Sequence, residues 1–149
     1  MPSIDPEKAA RVWQRVRADT DMGLVPQDLL ALIAEEQNDA TTYLHLSRRF
    51  QGSRGLLLRE MAQQEQTHAA CLKGIYTLIT GTRPVVRAQP VIREAPELTL
   101  RRCYSREMQC LSRYEAKSAD AQYGQVFARL AQQEREHCRL ILELLGSAK

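Results

Sequence analysis

Residues 62–68 read AQQEQTH and residues 131–137 read AQQEREH, so one short motif occurs twice in this chain of 149 residues. Each copy places a Glu three residues before a His, as Glu65 before His68 and Glu134 before His137. Residues at this spacing lie on the same face of a helix. The repeat therefore predicts two equivalent helices, each carrying a carboxylate and an imidazole side by side.

A second repeated element precedes each motif, because Glu36 is followed seven residues later by Tyr43 and Glu107 by Tyr114. Seven residues are about two helical turns, so each Tyr shares a face with its Glu. Helical side chains lean toward the N-terminus, and each ring should therefore point back toward the level of its Glu. Two readings stay open: the hydroxyl orients a metal-binding carboxylate, or the residue is an ordinary core tyrosine.

The Glu and His of each motif occupy positions where a helix normally presents apolar side chains to the core. They continue two stripes of buried-type residues. One stripe is Leu58, Met61, Glu65, His68, Leu72, Ile75 and Ile79, and the other is Phe127, Leu130, Glu134, His137, Ile141 and Leu144. A buried, ionised carboxylate without a partner costs at least several kcal/mol. The duplication argues against a pair of ordinary core histidines.

The order Glu, Glu-x-x-His, Glu, Glu-x-x-His is typical of a two-metal carboxylate site inside a four-helix bundle. Two divalent cations would balance four carboxylates, and oxygen and imidazole ligands suit iron or manganese. We prefer Glu36 to its neighbour Glu35, which should face solvent. The predicted ligands are Glu36, Glu65, His68, Glu107, Glu134 and His137.

Helix formers dominate the chain and predict an all-α fold. A short N-terminal helix starts near Asp5 and ends before Gly23, so residues 1–25 form a helical extension. Residues 26–149 form one four-helix bundle. Its helices are predicted at residues 26–51, 53–80, 97–118 and 120–146, with Ser53 and Asp120 as caps.

One long crossover should join the second and third helices. Pro84, Pro90 and Pro96 forbid a continuous helix there. An extended chain at about 3.3 Å per residue would span roughly 50 Å, which is the length of a bundle. The other two junctions are short. Alternating residues between Val85 and Ile92 offer the only competing strand pattern.

Composition limits the partners. The net charge is only +3 and the arginines are scattered, so we expect no nucleic-acid partner. No apolar run reaches the roughly 20 residues that span a bilayer, and the N-terminus lacks a signal-peptide pattern, so we expect a cytoplasmic protein without a membrane partner. The four cysteines form no C-x-x-C pair, which argues against a zinc knuckle and for reduced thiols.

With its six predicted ligands, the chain resembles the ferritin-like superfamily of di-iron carboxylate proteins, and is most similar to the erythrin domain of rubrerythrins. The resemblance covers about residues 26–146. It implies a ferritin-like bundle in which Glu65 and Glu134 bridge two iron ions, with manganese or a mixed pair as alternatives. It also implies that Glu36 and Glu107 are terminal ligands and that His68 and His137 each bind one metal.

The chain departs from that family in three ways. Rubrerythrins carry a second Glu three residues after the third-helix ligand, where this chain has Cys110. We interpret Cys110 either as a buried small hydrophobe or as a redox-active thiol. No rubredoxin domain follows the bundle, so electrons would come from a separate rubredoxin- or flavoprotein-like donor. Gln66 replaces the haem-binding Met of bacterioferritins, so no haem is expected.

These features predict an oxidoreductase that reduces hydrogen peroxide or dioxygen, working as a homodimer or larger oligomer. Three alternatives use the same ligands. They are ferritin-like oxidation and storage of ferrous iron, a non-catalytic metal-binding bundle, and a di-iron hydroxylase acting on an organic substrate.

Overall fold

The computed structural model describes residues 5–9, 11 and 24–147. The described residues fold into helices and connecting segments, with no strand among them, so the all-α prediction is confirmed there. Residues 6–9 and 11 are helical near the N-terminus. The four long helices are α1 (Pro26–Ser47), α2 (Ser53–Thr80), α3 (Pro96–Lys117) and α4 (Gly124–Ser147).

The helix near the N-terminus starts beside Asp5, as predicted. The backbone N–H of Glu7 donates to Asp5 Oδ1 at 3.0 Å, which satisfies one of the free donors at a helix start. The rest of the predicted extension helix, with Val12, Trp13 and Val16, lies outside the described residues.

Several helix ends differ from the prediction. Helix α1 ends at Ser47, before the predicted end at residue 51, because the chain already turns there. Ser53 is not a cap: Gly52 takes that position with a φ of 68°, which favours glycine. Asp120, in contrast, makes the hydrogen bonds of a cap as predicted, although α4 begins only at Gly124. Its Oδ2 accepts the N–H groups of Gln122 and Tyr123, and its carbonyl oxygen accepts the N–H of Gly124.

The helices pack in two pairs, α1 along α2 and α3 along α4, an arrangement compatible with a helical bundle. Residues 81–95 join the pairs without forming a helix or a strand. Two apolar clusters fill the interior. One contains Leu29, Leu72 and Phe127, and the other contains Leu58 and Ile141. On each helix, the predicted ligands fall between the residues of these two clusters.

No helix in the described ranges is both long enough and apolar enough to pass through a bilayer. The four cysteines are free thiols, as predicted. Cys103, Cys110 and Cys138 are buried, whereas Cys71 is half-buried. Burial raises the pKa of Cys103 to about 12 and that of Cys138 to about 11, so both remain protonated at neutral pH.

Two glycines of α2 provide a matched test of how tightly the α1–α2 turn closes. An ideal Cβ on Gly55 would lie 2.6 Å from the carbonyl oxygen of Phe50, whereas a Cβ on Gly74 would meet nothing within 4 Å. We expect Gly55→Ala to lower the free energy of unfolding by about 1–3 kcal/mol through overpacking. Gly74→Ala should raise it by about 1 kcal/mol through helix propensity.

Urea unfolding followed by circular dichroism measures both changes. Equal effects of the two substitutions would contradict the close approach of the turn to the first residues of α2.

Candidate metal centre

The six predicted ligands come together at the middle of the helices, and each is at most 2 % exposed. Their ligand atoms form two groups, in each of which all atoms lie within 4.8 Å of one another. One group contains Glu36, Glu65, His68 and Glu134, and the other contains Glu65, Glu107, Glu134 and His137.

His68 lies at the centre of the first group. Its Nδ1 is 2.9 Å from Glu134 Oε1, 3.3 Å from Glu36 Oε2 and 3.8 Å from Glu65 Oε1. One imidazole nitrogen therefore faces carboxylates from α1, α2 and α4. This convergence of nitrogen and oxygen atoms is the donor set that iron, manganese or zinc accepts.

His137 has the equivalent place in the second group. Its Nδ1 is 2.5 Å from Glu65 Oε1, 3.7 Å from Glu107 Oε1 and 3.8 Å from Glu134 Oε2. The His68 and His137 rings stack with their centroids 5.9 Å apart. The two groups are thus neighbours that share Glu65 and Glu134.

Many of the buried polar atoms receive no hydrogen bond from the protein. His137 Nδ1 is one of them although Glu65 Oε1 is only 2.5 Å away. Native proteins rarely leave such atoms unpaired. Atoms that bind a common cation crowd together in this way, and the two groups could hold metal ions. Among the six predicted ligands, the other unpaired atoms are Glu36 Oε2, Glu65 Oε1 and Oε2, Glu107 Oε2 and Glu134 Oε2.

Protons must otherwise neutralise this cluster. Burial raises the pKa of Glu65 well above its usual range, and the charges of Glu107 and Glu36 raise it further. Burial would also raise the pKa of Glu36, but the neighbouring Glu65 carboxyl and His68 imidazole lower it overall. A divalent cation would displace such protons, so metal binding and protonation compete.

The two halves of the chain are the helix pairs α1–α2 and α3–α4, and each tyrosine hydroxyl binds a glutamate of the other half. Tyr43 Oη donates to Glu107 Oε1 and Tyr114 Oη donates to Glu36 Oε1, both at 2.5 Å. Burial, followed by the charge of the bound glutamate, raises the pKa of both phenols, which stay protonated as donors. The crossing between halves was not predicted, since the sequence shows only that each Tyr shares a face with its own Glu.

Two glutamines that the prediction left without a role contact the histidines. Gln64 Oε1 lies 2.6 Å from His137 Nε2, and Gln133 Oε1 contacts His68 Nε2. A carbonyl oxygen can only accept, so Nε2 carries a proton, and Nδ1, on the side of the carboxylates, is the nitrogen that would bind a cation. The signal in the sequence is the repeated Gln directly before Glu65 and Glu134.

The expectation that Glu35 faces solvent is wrong. Its side chain is only 26 % exposed, its Oε2 accepts a hydrogen bond from the Cys110 thiol at 3.0 Å, and its Oε1 lies 3.2 Å from Arg113. Position 35 borders the predicted stripe, where a long side chain still reaches α3. Asp39, which the prediction did not consider, is 1 % exposed one turn after Glu36. Its three-residue spacing from Glu36 could have indicated it.

Comparisons with protein-family models, curated proteins and solved structures give no match to this chain. Any assignment of function must therefore start from the buried cluster itself.

Replacing Glu65 by Gln tests whether repulsion among the buried carboxylates destabilises the metal-free protein and is relieved by a bound cation. A carboxyl whose pKa is raised by folding loses stability as the pH rises above its unfolded value of about 4. We therefore expect metal-free Glu65→Gln to be more stable than the native protein at pH 7.5, by an order of 1 kcal/mol. The native protein should gain about 2.7 kcal/mol when Mn²⁺ exceeds its Kd 100-fold, and the variant should lose this gain.

Thermal melting with and without Mn²⁺ measures both effects, with Glu60→Gln on the exposed side of α2 as the matched control. A native melting temperature that does not change when Mn²⁺, Fe²⁺ or Co²⁺ is added would contradict the metal assignment.

The glutamine contacts provide a second test. Gln133→Leu removes the acceptor from His68 Nε2, so the ring loses its fixed tautomer and orientation. We expect Co²⁺ affinity to fall by about 10–100-fold, the usual effect of losing such a partner. Gln132→Leu, at the exposed neighbouring position, should bind Co²⁺ as the native protein does. Equal Co²⁺ affinities of the two variants would show that Gln133 does not orient the histidine.

Proposed function

We propose that this chain is a rubrerythrin-like di-iron protein of the ferritin-like superfamily, an oxidoreductase that reduces hydrogen peroxide or dioxygen. The observation that supports this most is the sharing of Glu65 and Glu134 by two four-ligand groups. A single structural metal would need only one such group.

We also propose that the chain follows the ferritin-like path, in which one long crossover joins two pairs of helices. Helices α1 and α2 are joined by residues 48–52, and α3 and α4 by residues 118–123, whereas residues 81–95 lie between the pairs. This short, long, short order is the connectivity of a bundle with one crossover. The cross-pairing of Tyr43 with Glu107 and of Tyr114 with Glu36 agrees with two halves related by a pseudo-two-fold axis.

Two iron ions held by the six predicted ligands would supply electrons and polarise the bound oxidant. Manganese or a mixed pair is an alternative. Glu65 and Glu134 would hold the two positions together, and Glu36 and Glu107 would complete them. Tyr43 and Tyr114 each occupy one oxygen of a terminal glutamate, which leaves the other oxygen free to bind a cation. Burial of these groups keeps bulk water away from the site.

The net reaction consumes electrons, which must be supplied again for each turnover. Each hydrogen peroxide takes up two electrons and two protons and yields two molecules of water. A separate donor protein, of the rubredoxin or flavoprotein class, would provide the electrons. The buried phenols and carboxyl groups would be placed to deliver these protons, since the Tyr43 and Tyr114 hydroxyls donate hydrogen bonds to Glu107 and Glu36.

Anaerobic loading with ferrous iron followed by stopped-flow mixing with peroxide tests the proposal. We expect two irons per chain to be oxidised at least about tenfold faster than free ferrous iron, since a bound, oriented pair avoids the encounter of separate ions. Glu65→Gln should lose this acceleration, and Glu60→Gln should keep it.

Oxidation no faster than that of free ferrous iron would overturn the proposed reaction. Storage of ferric iron makes a different prediction: size-exclusion chromatography would then show a large shell that takes up far more iron than two ions per chain. A dimer or tetramer that oxidises two irons and regains activity with an electron donor agrees with the oxidoreductase.

A further inference from the structure

The two halves of the site are equivalent in position but not in chemistry. The spacing that relates Glu36 to Glu107 also relates Asp39 to Cys110 and Glu35 to Arg106. The contacts follow the same symmetry. Arg106 Nη2 lies 3.2 Å from Asp39 Oδ1, and the Cys110 thiol donates to Glu35 Oε2 at 3.0 Å. One half thus has a carboxylate where the other has a thiol.

Asp39 is placed beside the group formed by Glu107 and His137. It is 1 % exposed and lies one helical turn before Tyr43, whose hydroxyl donates to Glu107 Oε1 at 2.5 Å and whose ring centroid is 6.3 Å from that of His137. Cys110 likewise lies one turn before Tyr114, whose hydroxyl donates to Glu36 Oε1 of the other group at 2.5 Å. Each metal position is therefore next to one of these two residues: Asp39 on the Glu107 side and Cys110 on the Glu36 side.

Arg106 does not satisfy Asp39 completely. Asp39 Oδ1 receives no hydrogen bond in spite of the nearby guanidinium, and Arg106 Nε is likewise unpaired. The Arg106 side chain is 29 % exposed and lines a surface cavity of about 290 Å³ with Asn38, Thr42 and Arg102. It therefore has space to move away from Asp39, and a buried oxygen remains available to a cation.

We infer that Asp39 is a fifth carboxylate of the site, and that it makes the Glu107–His137 position bind a hard divalent cation more tightly than the Glu36–His68 position. This inference rests on the proposed two-metal site. Oxygen ligands favour Mn²⁺ and Fe²⁺, and each added carboxylate strengthens the attraction in a buried environment. Cys110 offers a soft sulfur in place of a hard oxygen, and its thiol already donates to Glu35 Oε2 at 3.0 Å.

Anaerobic titration with Mn²⁺, followed by the electron paramagnetic resonance signal of free Mn²⁺, tests this inequality. The native protein should bind two ions with unequal affinities. Asp39→Asn should weaken the tighter step by about tenfold or more, the usual effect of losing a ligand-supporting group. Cys110→Ser, at the symmetry-related position, should leave both steps unchanged.

Two further variants sharpen the assignment. Arg106→Gln should tighten the first step, because it removes the cation that competes with Mn²⁺ for Asp39, and a merely destabilising substitution would not do so. His137→Ala should remove the tighter step and His68→Ala the weaker one. Circular dichroism of each metal-free variant checks that it folds.

The outcomes separate the two proposals. A native protein that binds fewer than two Mn²⁺ ions would overturn the two-metal site. Two bound ions with native affinities in both Asp39→Asn and Arg106→Gln would leave that site intact and overturn the role of Asp39. Loss of the weaker step in Asp39→Asn would also contradict the inference, because Asp39 lies on the other side.

Discussion

Four carboxylates with no exposed surface must share the interior of one small bundle, and the rest of the structure depends on how their charge is balanced. Glu36, Glu65, Glu107 and Glu134 are each 0 % exposed. Desolvation costs several kcal/mol for each ionised group, and apolar packing alone cannot offset repulsion at such short range. Protons or cations must be present. The two apolar clusters on either side of this layer position the carboxylates without supplying any compensating charge.

The protein holds the cluster by hydrogen bonds that cross between its two halves. Tyr43 and Tyr114 each orient a glutamate of the other half, and Gln64 and Gln133 each contact a histidine of the other half. Neither half could complete its own set of contacts. Metal binding, tautomer choice and association of the α1–α2 and α3–α4 pairs are therefore coupled, so a cation that binds the cluster should also stabilise the fold.

Helical periodicity predicts the buried positions well, because a stripe of core-facing residues repeats at fixed spacing. Glu134 and His137 could be placed in the interior for this reason, and the duplicated motif located their counterparts. Periodicity does not reveal which opposite side chain reaches a given residue. The contact between Arg106 and Asp39 and the half-buried position of Glu35 depend on side-chain length across a helix interface. The early end of α1 at Ser47 depends on the turn that follows it.

Although the motif is repeated, the two proposed metal positions differ in the residues beside them. The shared glutamates keep the site one unit, whereas Asp39 and Cys110 give its sides different chemistry. Anomalous diffraction from crystals grown with Fe²⁺ under anaerobic conditions tests the central claim most directly. A two-metal site predicts two iron peaks, each next to one histidine Nδ1 and both between Glu65 and Glu134. Peaks only at the protein surface, with the buried cluster empty, would contradict it.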